Sequence, residues 1–150
     1  MILIAHRGNM NGIVRGEENK PEYLRKALNA GYDIEVDIRL TKDGWFLGHD
    51  GPEQRIEGDF FETFDPAHVW YHAKNAEAFG ALRKRPELNY FSIEDEESVL
   101  TSKGYRWVHT KTPELPKGSI CVLPELRKNN AGMVECAGIC SDFVAKYKAL

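Results

Sequence analysis

The stretch Asp33-Ile-Glu-Val-Asp-Ile-Arg-Leu40 places charged and branched aliphatic residues in strict alternation. Only an extended strand sorts such residues cleanly, with Ile34, Val36 and Ile38 on one face and Glu35 and Asp37 on the other. The aliphatic face demands a covering layer. Two carboxylates two residues apart on one strand face repel each other unless a cation or a proton lies between them. This strand therefore predicts both a packed sheet and a charged site on it.

The flanking sequence builds outward from that strand. Met1-Ile-Leu-Ile-Ala is a short apolar run ending at His6, Arg7 and Gly8, which predicts a buried strand delivering two functional side chains into a loop. A polar loop follows, and Pro21 then opens a helix over 22–30 that stops at Gly31. Strand, helix and strand in this order predict a parallel pair joined by a crossover. The Asp43-Gly44 turn leads to a third extended run, Trp45 to His49. Further strands are predicted over 69–75, 89–95, 105–110, 119–125 and 138–142. Short helices are expected over 76–84 and 143–150, and 51–66 reads as an irregular loop. The pattern is α/β: a small or abbreviated TIM-like β/α barrel of mostly parallel strands, forming one domain over 1–150. At 150 residues the chain falls short of the roughly 250 that a complete eight-fold barrel usually takes.

The chemistry follows from which residues the strands deliver. Glu35 and Asp37 are hard oxygen ligands suited to Mg²⁺ or Ca²⁺. Arg7 can hold phosphate oxygens bidentately, and the imidazoles of His6 and His49 can move protons. A metal beside them would neutralise a phosphate, so the set points to phosphodiester cleavage.

In this order, His6-Arg7-Gly8, Glu18-Asn19, Glu35-Val36-Asp37, Asp43-Gly44 and His49-Asp50 resemble the glycerophosphodiester phosphodiesterases. The resemblance covers the first fifty residues and thins afterwards. It implies metal ligation by Glu35, Asp37 and Glu18, and acid-base catalysis by His6 and His49 with Arg7 on the phosphate. In that family the third barrel strand tends to carry Glu-x-Lys, the glutamate completing the metal site and the lysine facing the phosphate. Here the corresponding residues are His72 and Lys74. The missing acidic ligand is then supplied by His72, by Glu94 or by water. The nucleophile is a neighbouring substrate hydroxyl or water, and the substrate a small-molecule phosphodiester. The rival readings are a phosphate- or phosphosugar-binding module without catalysis, a lipid-directed phospholipase and a nuclease.

Composition narrows these rivals. A net charge of −3, with no basic strip studded with aromatics, disfavours nucleic-acid binding. No apolar run approaches the roughly 18 residues of a membrane span, so stable insertion is not expected, and a cytoplasmic location is the default. Cys121, Cys136 and Cys140 are expected to be buried thiols. Trp107 is expected to form core wall and Asp142 to accept hydrogen bonds or cap a helix. His68 and His109 are expected to be surface or satisfied polar residues.

Overall fold

A computed structural model describes residues 1–150. Ten strands form one sheet: β1 (Ile2–His6), β2 (Asp33–Thr41), β3 (Gly44–Leu47), β4 (Gln54–Ile56), β5 (Val69–Ala73), β6 (Asn89–Phe91), β7 (Ser98–Leu100), β8 (Arg106–Val108), β9 (Ile120–Val122) and β10 (Gly138–Ser141). Three helices accompany them: α1 (Pro21–Asn29), α2 (Phe60–Thr63) and α3 (Ala76–Leu82). Strands β6, β5, β2, β1, β10, β9 and β8 pair in that order, and each of these pairings is parallel. Antiparallel additions extend the sheet, β3 and β4 beyond β2, and β7 beside β8.

The sheet is curled but incompletely closed. No ladder joins β6 to β8, yet Phe91 of β6 and Trp107 of β8 lie with ring centroids 4.5 Å apart. The chain between them helps to fill the gap, because the Ser102 amide donates to the Tyr90 carbonyl at 2.8 Å. The α/β class expected from the sequence therefore holds, while the sheet is an incompletely closed curl of mixed strand orientation with few helices and not a clear TIM-like barrel.

The alternation in β2 sorts as its sequence demands. Ile34, Val36 and Ile38 are wholly buried on the outer face, in one cluster with Leu24 and Ala27 of α1 and Ala78 and Leu82 of α3. Helix α1 begins at Pro21, where the missing amide costs nothing, and carries Glu22 in its first turn and Lys26 in its last, both favourable to the helix dipole. The inner face holds a second cluster of Ile4, Trp70, Phe91, Trp107, Ile120, Val122 and Cys140. Along three strands an apolar residue of this cluster is followed two positions later by a histidine: Ile4 and His6, Trp70 and His72, Trp107 and His109. Side-chain alternation thus puts a dry aromatic plug beneath a ring of imidazoles at the C-terminal strand ends. Replacing Trp107, 3% exposed, by Ala should cost about 3–5 kcal/mol of stability in a denaturant titration. A loss below about 1 kcal/mol would mean that the plug does not set the interior.

Several expected elements change. Stretch 51–66 is not a plain loop, since it pairs as β4 and then makes the short turn of α2, burying Phe60, Phe61 and Phe64. The strand expected over 89–95 ends at Phe91, because β6 has a ladder on one edge only. Strand β7 was not expected. The closing helix over 143–150 is a single 3₁₀ turn, Val144–Tyr147. So short a terminal segment cannot sustain an isolated helix, and the Ala145 amide is drawn to the Met10 carbonyl instead. All three cysteines are buried and free, as expected. No helix is long and apolar enough to cross a membrane.

Candidate functional site

Strand register assembles the site. His6 pairs with Glu35 across β1 and β2, and Asp37 pairs with His72 across β2 and β5. The four side chains therefore converge from three adjacent parallel strands. Glu35 and Asp37 are each 1% exposed, a burial that carboxylates tolerate only with partners.

Those partners come from the loop after β1. Arg7 adopts the left-handed region at φ +54°, a conformation costing about 1–3 kcal/mol for a residue of this kind. In it the Arg7 amide donates to Glu35 Oε2 at 3.2 Å, Nε lies 3.1 Å from Asp37 Oδ2, and a terminal nitrogen lies 3.6 Å from Glu18 Oε2. Gly8 follows at φ +88°, and a Cβ there would come within 2.9 Å of the Tyr23 ring. Asn19, also left-handed, clamps Asp37 from both sides: its Nδ2 donates to Asp37 Oδ2 at 2.9 Å and its Oδ1 accepts the Asp37 amide at 3.0 Å.

His6 is held by residues from the far end of the chain. Its Nδ1 donates to Asp142 Oδ1 at 2.8 Å, which leaves Nε2 toward the interior, 3.8 Å from Glu35 Oε2. Fully buried Asn9 donates to the same Asp142 oxygen at 2.8 Å and to Glu18 Oε2 at 2.9 Å. Asp142 is itself fixed, its amide donating to Glu125 Oε1 at 2.9 Å.

His72 stacks on Phe91 with an interplanar angle of 18°. Its Nδ1 lies 3.2 Å from Asp37 Oδ1 and 3.7 Å from Glu35 Oε1. The closer approach is not aligned as a hydrogen bond, so Asp37 Oδ1 and His72 Nε2 are buried polar atoms without hydrogen-bond partners. Glu35, Asp37 and His72 each present a ligand atom, all within 4.8 Å of one another. Two carboxylate oxygens and an imidazole nitrogen, with one oxygen unsatisfied, fit a divalent cation.

His49 reaches the site from the loop after β3. Gly48, at φ +147°, allows a turn in which a side chain would strike the Gly51 carbonyl. Arg39 Nε pins the Gly48 carbonyl at 3.1 Å. The His49 ring donates from Nδ1 to Asp50 Oδ1, 2.7 Å away, and its side chain is 39% exposed at the mouth. His6, Arg7, Glu35, Asp37, His49 and His72 line one cavity of about 80 Å³, with Trp107, His109 and Val122 among the residues of its wall.

The remaining expected site residues lie apart from that cavity's lining. Glu18 stands outside the three-ligand group and is engaged with Arg7 and Asn9. Lys74 continues the inward face of β5, but it lines a neighbouring pocket with Arg83 and Glu94. Glu94 is exposed and accordingly not among the three ligands. Asn9, Asp142 and His109 are site residues that the sequence reading did not place there. Asp142 is the hydrogen-bond acceptor that the sequence predicts, and its side-chain donors are His6 and Asn9. The signal available in the sequence was a Ser-Asp pair at the end of the last strand.

Charge coupling across the cavity is strong. Burial opposes the charged form of His6, but the hydrogen bond to Asp142 and the field of Glu35 outweigh it and raise the pKa. Burial likewise opposes charge on His72, and Asp37 and Glu35 outweigh it. Burial alone would raise Asp37 and Asp142, but His72 beside the first and His6 beside the second hold both carboxyls below their usual range. His109 goes the other way, lowered by burial and then by the neighbouring cations. Raised histidines contribute stability that is complete below the unfolded pKa of 6.5 and is lost as pH rises through their folded values. Depressed aspartates contribute stability present above an unfolded value of about 3.9 and lost as pH falls through their folded values. Metal-free protein in EDTA should therefore melt at progressively lower temperature as pH rises from 6 to 8. A melting temperature that is flat or rising over that range would show that the imidazoles are not coupled to the carboxylates.

No protein-family model, curated protein or solved structure matches this chain.

Proposed function

We propose that the protein is a metal-dependent phosphodiesterase acting on a small-molecule phosphodiester, on a shortened relative of the β/α barrel. The observation that carries this reading is the convergence of His6, Arg7, Glu35, Asp37, His49 and His72 on one cavity, with Asp37 Oδ1 lacking a hydrogen-bond partner. The sequence order of the parallel strands around the curled sheet supports the barrel relationship, as does a site at their C-terminal ends.

Glu35, Asp37 and His72 would hold the cation, while Glu18 stands outside that group and holds Arg7 and Asn9. A bound divalent cation supplies charge neutralisation of a phosphate oxygen and lowers the pKa of a coordinated hydroxyl or water. Arg7 orients the phosphate and stabilises negative charge as it develops. Its guanidinium is always charged, so it can do so without a proton transfer. His6 is fixed by Asp142 with Nε2 available, and His49, held by Asp50, faces it from the mouth. One takes the proton of the nucleophile and the other protonates the departing oxygen. Lys74 stands in the neighbouring pocket, and its positive field reaches Asp50 beside His49.

Asp142 acts as a positioning residue through His6. Asp142→Asn should lower kcat by about 10–100-fold with a smaller effect on KM, and should shift the pH profile, because the His6 imidazolium loses its carboxylate. An unchanged profile with normal folding would remove Asp142 from this role.

The imidazole of His72 against both carboxylates favours one second reading, an anion-binding module in which His72 itself supplies the neutralising charge. Calorimetric titration with Mg²⁺, Ca²⁺ and Mn²⁺, followed by a diester hydrolysis assay with and without EDTA, separates the two. The enzyme reading expects cation binding and EDTA-sensitive turnover. Phosphate binding without cation uptake or turnover on a broad diester panel would instead establish the module.

A further inference from the structure

The three donors of the buried group are two oxygens and one nitrogen, and the surrounding bonds decide which oxygens remain. Glu35 Oε2 accepts from the Arg7 amide at 3.2 Å. Asp37 Oδ2 accepts from Asn19 Nδ2 at 2.9 Å and lies 3.1 Å from Arg7 Nε. Glu35 Oε1 and Asp37 Oδ1 turn instead to His72, at 3.7 and 3.2 Å from its Nδ1. Atoms held about 2.0–2.2 Å from one small ion stand about 3–3.6 Å apart, a spacing close to both. Each carboxylate thus offers a single oxygen, because its other oxygen is engaged.

The nitrogen is held in place as firmly as the oxygens. His72 stacks on Phe91 with ring centroids 4.8 Å apart, and Phe91 packs in turn on Trp107. The His72 side chain is 13% exposed, against 2% for Glu35 and 1% for Asp37. Solvent does not satisfy this group: Asp37 Oδ1 is out of its reach and has no hydrogen bond.

Each class of cation meets this set differently. Ca²⁺ takes about six to eight oxygens and often draws both oxygens of a carboxylate. Here the second oxygens are engaged, and the cavity of about 80 Å³, walled in part by Ile93, Trp107, Val122 and Leu123, has room for only a few waters to complete the number. Mg²⁺ demands a near-ideal octahedron of oxygens, and an imidazole occupies one of its positions. Iron and manganese accept carboxylate and imidazole donors together, and imidazole suits the later first-row ions as well. We propose that this site takes a first-row transition ion, of the Mn²⁺ or Fe²⁺ class, through Glu35 Oε1, Asp37 Oδ1 and His72 Nδ1, in preference to Mg²⁺ or Ca²⁺. His72 is then the residue that selects the ion. The proposal rests on the cation-dependent reading of the cavity, but it is decided without turnover.

The test is calorimetric titration of the whole chain with Mn²⁺, Mg²⁺ and Ca²⁺, followed by pulsed EPR of the Mn²⁺-loaded protein. Wild-type protein should bind Mn²⁺ at least about a hundredfold more tightly than Mg²⁺ or Ca²⁺. The EPR signal should show a directly bound nitrogen, whose coupling pattern changes when histidine is labelled with ¹⁵N. His72→Glu should remove that coupling and bring the three affinities to within about tenfold of one another. His72→Phe keeps a ring against Phe91 and should weaken Mn²⁺ binding by at least about tenfold. If neither variant folds, the labelled wild-type protein still decides whether an imidazole binds the ion. Mn²⁺ bound without nitrogen coupling, Mg²⁺ or Ca²⁺ bound as tightly as Mn²⁺, or a coupling that survives both substitutions would overturn the assignment while leaving cation-dependent catalysis in place. Uptake of none of the three ions would overturn both. Nitrogen-coupled Mn²⁺ in a protein that cleaves no diester would keep the site and remove the phosphodiesterase reading.

Discussion

His6→Ala should lower turnover of a small phosphodiester by about 10²–10⁴-fold, the range expected for removing a positioned general acid or base. The fold should survive, because His6 sits at the end of β1 above an apolar layer that it does not fill. Removing its imidazole also leaves Asp142 and Asn9 still bonded to each other. The variant should therefore keep its circular dichroism and its cation affinity to within a small factor. Rate and pH profile separate His6 from His49. The more exposed His49→Ala variant should lose turnover too, but added imidazole should rescue it more readily, because its ring stands at the open mouth of the cavity. Wild-type turnover in His6→Ala would remove the residue from the chemistry.

The second large effect concerns the cation. Asp37→Asn should weaken divalent-cation binding by at least about tenfold to a hundredfold and abolish cation-stimulated turnover. Asp37 offers the one buried carboxylate oxygen in the group without a hydrogen bond. The substitution replaces a charged ligand with a neutral amide while preserving volume, and Asn19 can still bond the backbone amide. Arg7 then loses its closest counter-charge, so phosphate binding without metal should strengthen in the variant while catalysis falls. Calorimetry with Mn²⁺ and Mg²⁺ measures the first quantity and inorganic phosphate titration the second. Unaltered cation affinity in Asp37→Asn would move the cation site elsewhere.

Much of this site was legible because its residues belong to regular alternation or to tight local motifs. Glu35 and Asp37 declare a common face through the period of β2, and His6-Arg7-Gly8 announces a turn that needs a glycine. His72 was legible as an inward residue of β5, but the approach to both carboxylates depends on parallel register, which sequence does not specify. Asn9 and Asp142 were harder still. Asp142 reaches His6 and Asn9 only when β10 pairs with β1, and 133 positions separate Asn9 from Asp142 in the chain. Lys74 shows the opposite failure: it follows the alternation correctly, yet the strand end turns it toward the Arg83 pocket.

The fold follows the same division. The apolar strands and α1 were readable from local pattern, whereas β4 and β7 exist because neighbours supply an edge. Stretch 51–66 looked irregular since its hydrophobic residues serve an aromatic cluster, Trp45 on Phe61 at 5.1 Å and Phe60 on Phe64 at 5.3 Å, rather than a periodic face. The terminal 3₁₀ turn replaced a helix for want of length and because Met10 competes for its backbone.

In the proposed function, the cavity joining His6, Arg7, Glu35 and Asp37 cleaves a phosphodiester with a divalent cation bound. Phosphorus NMR of a glycerol phosphodiester tests it most directly, with wild-type protein and the His6→Ala variant at equal concentration in Mg²⁺, Ca²⁺ or Mn²⁺, and again in EDTA. The wild type should convert the diester resonance to a monoester or cyclic phosphate with at least one of the cations, while EDTA or His6→Ala leaves it essentially unchanged. A diester resonance that persists with wild-type protein in all three cations, or that disappears equally fast with His6→Ala, would contradict it.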